Sequence, residues 1–237
     1  MSAMTFGKIG TKPLFKHWTA RDYVQNGLVA MWDGIENAGW GTHDSNATVW
    51  KDLVGTDDLS IGSDITKAKF EATALWRNLS LGNLVSGNLS FPLTIEMLID
   101  VDASFSGTDT NPRLFAFNTG SPRREIDCYT ANPSRAPRLY DPTKYAEFNR
   151  SSIGLWSISC YFADTTSVVL RENICGKTYS TSLSAVDPPV RLNIGAWQST
   201  YSAMKGLYHV VRVYSRALTA DEIAYNYNID KVRFNLP

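Results

Sequence analysis

The sequence predicts an all-β fold, a sandwich of two antiparallel sheets with one short helix near the C-terminus. Three observations carry this reading. Short runs rich in β-branched and aromatic residues recur at about ten-residue spacing, with Gly, Pro, Asn and Asp turns between them. The run Leu93 to Asp102 alternates cleanly: Ile95, Met97, Ile99 and Val101 share one face, and Thr94, Glu96, Leu98, Asp100 and Asp102 the other. The stretch Gly206 to Phe234 reads as a strand, then a capped helix, then an extended tail. In that strand Leu207, His209, Val211 and Val213 alternate with Tyr208, Val210, Arg212 and Tyr214, and both sets hold apolar residues, as in a strand covered on both faces. Thr219 is a natural N-cap, Glu222 completes a capping box, and Leu218 is placed to staple onto Ile223. Lys231 to Phe234 is read as a short terminal strand, which makes the helix an addition to the sandwich.

The other elements follow in order. Residues 1 to 25 form a lead-in dotted with Gly and Lys and carrying Phe6, Phe15, Trp18 and Tyr23. It reads as an arm, either lying over the sandwich or anchoring its aromatics in a neighbouring subunit. The domain proper spans 26–237. Gly27 to Asp33 is a near-continuous apolar strand, and Gly34 to Asn46 is a loop rich in Gly, Asn and Asp that holds Trp40 and His43. Ala47 to Leu53 is a strand with Trp50 pointing inward; Trp76 to Leu81 and Leu89 to Phe91 are short strands separated by Gly82-Asn83 and Gly87-Asn88 turns. Beyond Leu93 to Asp102, strands are expected at Arg113 to Asn118, Arg124 to Tyr129, Arg138 to Tyr140, Tyr145 to Phe148, Ile153 to Phe162 and Val190 to Trp197. Ser167 to Ile174 and Lys177 to Ser182 form a hairpin through Cys175-Gly176.

Two of these stretches also carry a family resemblance. YSRALTADEI, with the strand before it, resembles the closing signature of the laminin-G-like, concanavalin A-like lectin/glucanase superfamily. GLVAMWDGIENAGWG followed by WKDLVG resembles the opening half of the same pattern. The resemblance implies a concanavalin A-like jelly roll. It leaves function open, because that fold hosts lectins, binding modules and glycosidases alike.

Composition narrows the function classes. Lys plus Arg and Asp plus Glu both number 23, so no net field favours nucleic acid, and no basic run stands out. No stretch approaches the ~20 apolar residues of a membrane span. Residues 1 to 27 show no apolar h-region of a secretory signal. Three cysteines, Cys128, Cys160 and Cys175, do not make a disulfide framework. They fit buried or incidental thiols, with a Cys160–Cys175 bridge as the alternative.

The resemblance implies that a glycosidase of this fold would carry paired carboxylates on one strand, and Glu96, Asp100 and Asp102 are the nearest match. Glu96 and Asp100 lie about 13 Å apart along a strand rising ~3.3 Å per residue. Retaining hydrolysis needs about 5–5.5 Å and inversion about 6.5–9.5 Å. These acids therefore read as a polar sheet face, and the chain as non-catalytic. Only three histidines are present, with no nucleophile motif beside them, which excludes a triad. No cofactor is required. Calcium has two loose sets of hard oxygen ligands: Asp100, Asp102, Ser104 and Asp109, or Asp57, Asp58 and Asp64, neither with the spacing of a helix–loop–helix calcium loop. Each also reads as solvated turn aspartates.

Glycans stack on aromatic faces and are oriented by a few polar partners. Trp40 and His43, with Asn37 and Asp44, sit in one loop; Arg113, Asn118, Arg123, Arg124, Tyr129, Arg138, Tyr140 and Tyr145 cluster in a polar, Pro-broken region. Ordinary sheet surface is the competing reading of both. The resemblance implies a binding or structural domain displayed on a surface. The first expectation is a phage virion protein (tail, fibre or capsid-decorating) that takes host-surface glycans by its loops and meets other virion subunits through its N-terminal arm. The alternatives are a carbohydrate-binding module of a bacterial surface protein and a β-glucan hydrolase. Localisation is then the virion surface, or the cell surface where a signal peptide has been removed.

Overall fold

The computed structural model describes residues 18–77, 84–86, 90–102, 113–117, 124–128, 137–141, 144–147, 154–164, 167–174, 176–182, 191–195 and 205–236. Its strands are β1 (Leu28–Asp33), β2 (Val49–Trp50), β3 (Leu59–Ser60), β4 (Ala68–Phe70), β5 (Leu75–Arg77), β6 (Leu84–Ser86), β7 (Leu93–Val101) and β8 (Arg113–Phe117). They continue with β9 (Arg124–Cys128), β10 (Pro137–Asp141), β11 (Lys144–Glu147), β12 (Gly154–Phe162), β13 (Ser167–Glu172), β14 (Lys177–Ser182), β15 (Arg191–Ile194) and β16 (Gly206–Tyr214); helix α1 (Ala220–Arg233) follows.

Eight strands make one antiparallel sheet in the order β14-β13-β12-β7-β16-β5-β4 with β1 also on β16, and β11-β10-β9-β8-β15-β6 make the other. One edge of β16 is taken by β7; on the other, β5 pairs with Gly206 to Tyr208 and β1 with Val210 to Tyr214, so β5 and β1 lie end to end. A bulge between Tyr208 and Val210 falls at their junction. There Gly34 N–H donates to His209 O (2.8 Å), and a Cβ on Gly34 would come within 2.5 Å of Thr73 O. Only glycine lets β1 leave the sheet past that backbone.

The alternation in β7 divides between two cores. Ile95, Met97, Ile99 and Val101 enter the main core between the sheets, with Trp32, Trp50, Trp156, Phe115 and Ile194. Leu98 enters a second core on the outer face of the eight-stranded sheet, with Tyr23, Met31, Val210, Tyr214, Ile229 and Phe234. Helix α1 and the segment from Trp18 therefore form a third layer. Of the described part of the lead-in, residues 18 to 25, Ala20 and Tyr23 are buried, with a short 3-10 turn at Ala20–Asp22 capped by Thr19. Cys160 is buried in the main core, and Cys175 lies outside the described residues. Among the described residues no helix is long and apolar enough to cross a membrane.

Several expectations are corrected. Lys231 to Phe234 is not a strand: α1 runs through Arg233 and Phe234 caps it. The inward stripe of the helix is Asn226, Ile229, Asp230 and Arg233, at helical spacing but mostly polar, so apolar periodicity does not reveal it. Ala47 to Leu53 shrinks to the two residues of β2. Ser90 and Phe91 lead into Pro92 without joining a strand, whereas β3, β4 and β6 are short strands with no periodic signal of their own. Most importantly, Thr94 and Glu96 do not form an open polar face; both are buried beneath α1.

Candidate functional site

Beneath α1 the sheet carries a buried ionic cluster. Arg212 donates from Nε to Glu96 Oε2 (3.1 Å) and from Nη1 and Nη2 to the two Asp230 oxygens (2.8 Å each). Its guanidinium lies 4.2 Å from the Tyr23 ring centroid, and Tyr23 Oη donates to Asp230 Oδ1 (2.7 Å). Glu96 also accepts from Asn226 Nδ2 (2.7 Å) and Ser159 Oγ (3.0 Å). Arg233 extends the cluster to Asp33, Glu36 and Tyr23. Burial pushes the carboxyl groups of Glu96 and Asp33 above the usual range, against the pull of Arg212 and Arg233. Every one of these groups is spent on another, and Glu96 is only 2 % exposed. It has no access to a substrate, so it cannot serve as a hydrolytic acid.

Past the helix end the same sheet face opens. The ladders align Lys69 (β4), Trp76 (β5), Leu207 (β16), Asp100 (β7) and Leu155 (β12) in one cross-strand row. Trp76, Leu207, Asp100 and Leu155 are half-buried and Lys69 is exposed. Trp76, Leu207 and Asp100 line a shallow groove of about 480 Å³ together with Glu71, Asp102 and the backbone of Gly154 and Gly206. Lys69 Nζ lies 3.2 Å from Glu71 and 5.5 Å from the Trp76 ring centroid, and Lys205 Nζ lies 3.5 Å from Asp102 at the opposite side. The arrangement sets an indole beside three carboxylates and two ammonium groups. Such a surface can pack the apolar face of a sugar ring and accept hydrogen bonds from its hydroxyls.

His209, at the β16 bulge, lies two positions along the strand from Leu207 of the groove. Its ring stands edge-on to Phe234, with centroids 5.3 Å apart. Burial lowers its pKa against the opposing pull of Asp100, which favours the uncharged ring in this packed position.

The residues singled out from sequence divide. Asp100 and Asp102 both reach the groove; Asp109 lies outside the described residues. Among the described residues no group of three His, Cys, Asp or Glu side chains gathers closely enough to hold a metal. Asp58 pairs with Lys51, and Asp64 closes a turn onto Thr66. Trp40 is half-buried against the second core, with the Arg21 guanidinium 4.5 Å from its ring centroid. His43 lines a separate depression of about 360 Å³ with Trp18, Glu36 and Arg233. Its Nδ1 lies 3.1 Å from Ile35 O, and Glu36 already accepts from Ala20 N, Gly41 N and Arg233. The Asn37 side-chain amide ties the loop by two hydrogen bonds of 2.8 Å to the Asp44 backbone, donating from Nδ2 to Asp44 O and accepting at Oδ1 from Asp44 N–H. The loop's polar groups thus hold its own shape. Arg113, Arg138 and Tyr140 fall in β8 and β10 of the six-stranded sheet, where Arg138 stands opposite Asp127 and Glu147. Asn118 and Tyr129 lie outside the described residues. Trp76, Glu71 and Leu207 were missed as site residues, because only the pairing of β5, β16 and β7 brings them to Asp100.

No family model matches the chain, and a search of curated proteins finds no match. Solved structures do match. Trypanosoma rangeli sialidase in complex with sialic acid aligns at 16% identity and a TM-score of 0.62, over 87% of this chain and 33% of that one. A mutant of the same sialidase displaying trans-sialidase activity aligns at 14% identity and a TM-score of 0.64, over the same shares. The fold is a concanavalin A-like sandwich. This chain spans about a third of the sialidase chains it matches. Domain 4 of AbnA, a GH43 extracellular arabinanase from Geobacillus stearothermophilus, in complex with arabinotriose, aligns at 15% identity and a TM-score of 0.51, over 83% of this chain and 96% of that domain. At these identities the likeness speaks for the fold.

Proposed function

We propose that this chain is a non-catalytic glycan-binding domain and that it holds sugar in the groove of Trp76, Asp100 and Leu207. One observation carries the reading: a cross-strand row aligns an indole with a carboxylate in an open groove, and Glu71 and Asp102 flank it. An aromatic face with convergent acceptors is what a pyranose or furanose ring requires. A β-sandwich of nearly the same extent, domain 4 of the arabinanase, is known with arabinotriose, which supports the class of ligand without assigning the same site. The sequestered Glu96 favours binding over hydrolysis. The virion reading gains no support from these likenesses, and the carbohydrate-binding module is the better of the two.

The test is a glycan array followed by calorimetry on the ligands found. Trp76→Ala is expected to weaken binding roughly tenfold or more, the usual cost of removing an aromatic anchor, and Asp100→Asn to weaken it less. A blank array with folded protein would sink the glycan reading. Undiminished binding by the Trp76 variant would move the site elsewhere.

A further inference from the structure

A second depression, of about 180 Å³, lies on the same sheet face at the other end of α1. Its floor comes from the row that continues outward from Glu96: Ser159, Arg171 and Thr178 stand opposite one another on β12, β13 and β14. Tyr161 lines it from the neighbouring row, and Leu218 and Ile223 wall it from the start of α1.

Arg171 is the unusual member. Its Nε is buried and has no hydrogen-bond acceptor, and among the described residues no carboxylate pairs with it. A charged N–H out of water and without a partner is costly, and native structures resolve such groups with a bound partner. The nearby acids are already committed. Glu96 lies two strands away and is held by Arg212, Asn226 and Ser159. Glu222 is held by Arg216 and by the cap at Thr219. Glu172 shares the core-facing parity of Val168 and Leu170, on the other side of β13 from Arg171. Asp221 is exposed on the first turn and does not line the depression. The Ser159 proton goes to Glu96, which leaves the Tyr161 and Thr178 hydroxyls as further donors beside the guanidinium. The depression also abuts the positive end of α1, which adds to the same field.

We propose that this depression binds an oxyanion, a carboxylate or sulfate group, on Arg171 with Tyr161 and Thr178 as supporting donors. The site is separate from the groove of Trp76: Thr94, at this end of β7, and Asp100, at the other, are six residues apart, about 20 Å along the strand. Its charge is also opposite in sign. Guanidinium–oxyanion pairing is directional and charge-assisted, so the site selects planar or tetrahedral oxyanions over chloride.

The experiment follows the Arg171 Nε–H resonance of the full chain during titration with sodium sulfate, against sodium chloride at matched ionic strength. The resonance is assigned by its loss in Arg171→Lys. Sulfate is expected to shift it saturably while chloride does not, and in isothermal calorimetry, which needs no Arg171 signal, Arg171→Met is expected to weaken sulfate binding roughly tenfold or more. Trp76→Ala should leave the titration unchanged, so failure here and failure of the glycan groove are told apart. A parallel titration with glucuronate identifies the source: tighter binding than sulfate assigns a sugar-borne carboxylate, and weaker binding assigns a free inorganic anion. An Arg171 resonance unmoved by either anion, or equal sulfate binding by Arg171→Met, would overturn the proposal. Should Arg171→Met fail to fold, Thr178→Val is the second variant, expected to weaken binding severalfold without touching the charge.

Discussion

At the scale of single residues, Arg212 decides whether α1 can cover the sheet. It is 2 % exposed, and it neutralises Glu96 and Asp230 together. Removing it leaves two buried carboxylates facing each other, and breaking a buried pair by deleting one partner costs about 3–5 kcal/mol. Arg212→Met is therefore expected to lower urea stability by that amount. Glu96→Gln should cost less, since an amide oxygen can still accept from Arg212 and Asn226. The two substitutions also differ in pH dependence. Burial raises the folded-state pKa of Glu96 above its unfolded value, so the folded chain binds more protons. Its contribution is present in full below the unfolded pKa and is lost as pH rises through the folded one. Unfolding free energy measured upward from about pH 4.3, the ordinary Glu value, should fall less steeply for Glu96→Gln than for the natural chain. An identical slope would mean that Glu96 is not the group titrating. None of this was legible in the sequence. Glu96 and Arg212 are 116 residues apart, and each alone reads as a polar residue on an amphipathic strand.

At the scale of the element, the beginning of α1 was legible and its end was not. The capping box is local chemistry: Glu222 N–H donates to Thr219 Oγ1 (3.2 Å) and Thr219 N–H to Glu222 Oε2 (2.8 Å), within four consecutive residues. The end depends on Asp230 and Arg233 meeting partners from distant strands, which no window of sequence contains. Thr219→Ala is expected to cost about 1 kcal/mol, read from thermal or urea unfolding. Arg216 and the cap hold the Glu222 carboxyl down to about 2. A depressed carboxylate contributes stability above its unfolded pKa and loses it as pH falls through the folded one. Glu222→Gln should thus be less stable than the natural chain at pH 6, with the gap narrowing towards pH 2 and closing below it. The difference should be modest, because the pair is about a quarter exposed and water screens it. A constant gap at both pH values would show that Glu222 acts by shape and not by charge.

At the scale of the whole molecule, the sandwich was legible because each long strand carries its own alternation, while the order of strands was not. The groove shows why. Trp76, Leu207 and Asp100 meet only because β16 lies between β5 and β7, a pairing set by the whole sheet. The same non-local closure joins the start of the described chain to its end. Tyr23 Oη bonds Asp230 across 207 positions, Val24 N–H donates to Asn226 Oδ1 (2.9 Å), and Ala20 N–H to Glu36 Oε1 (2.7 Å). A lead-in segment tied only by its own backbone would fray with little cost, and its amides would exchange at nearly free rates. Here, lifting the segment uncovers Tyr23, Arg212 and Asp230, and wetting a buried ionic cluster is coupled to unseating α1. The Ala20 and Val24 amides are therefore expected to exchange as slowly as the β7 and β16 amides, through global unfolding, and to respond to urea with the same steep slope. Tyr23→Phe should bring those two amides into fast local exchange while β7 and β16 stay protected, because it removes the hydroxyl that binds the segment to Asp230 and Arg233. Fast exchange at Ala20 and Val24 in the natural chain would instead make the segment a peripheral arm, with the sandwich and α1 folding independently of it.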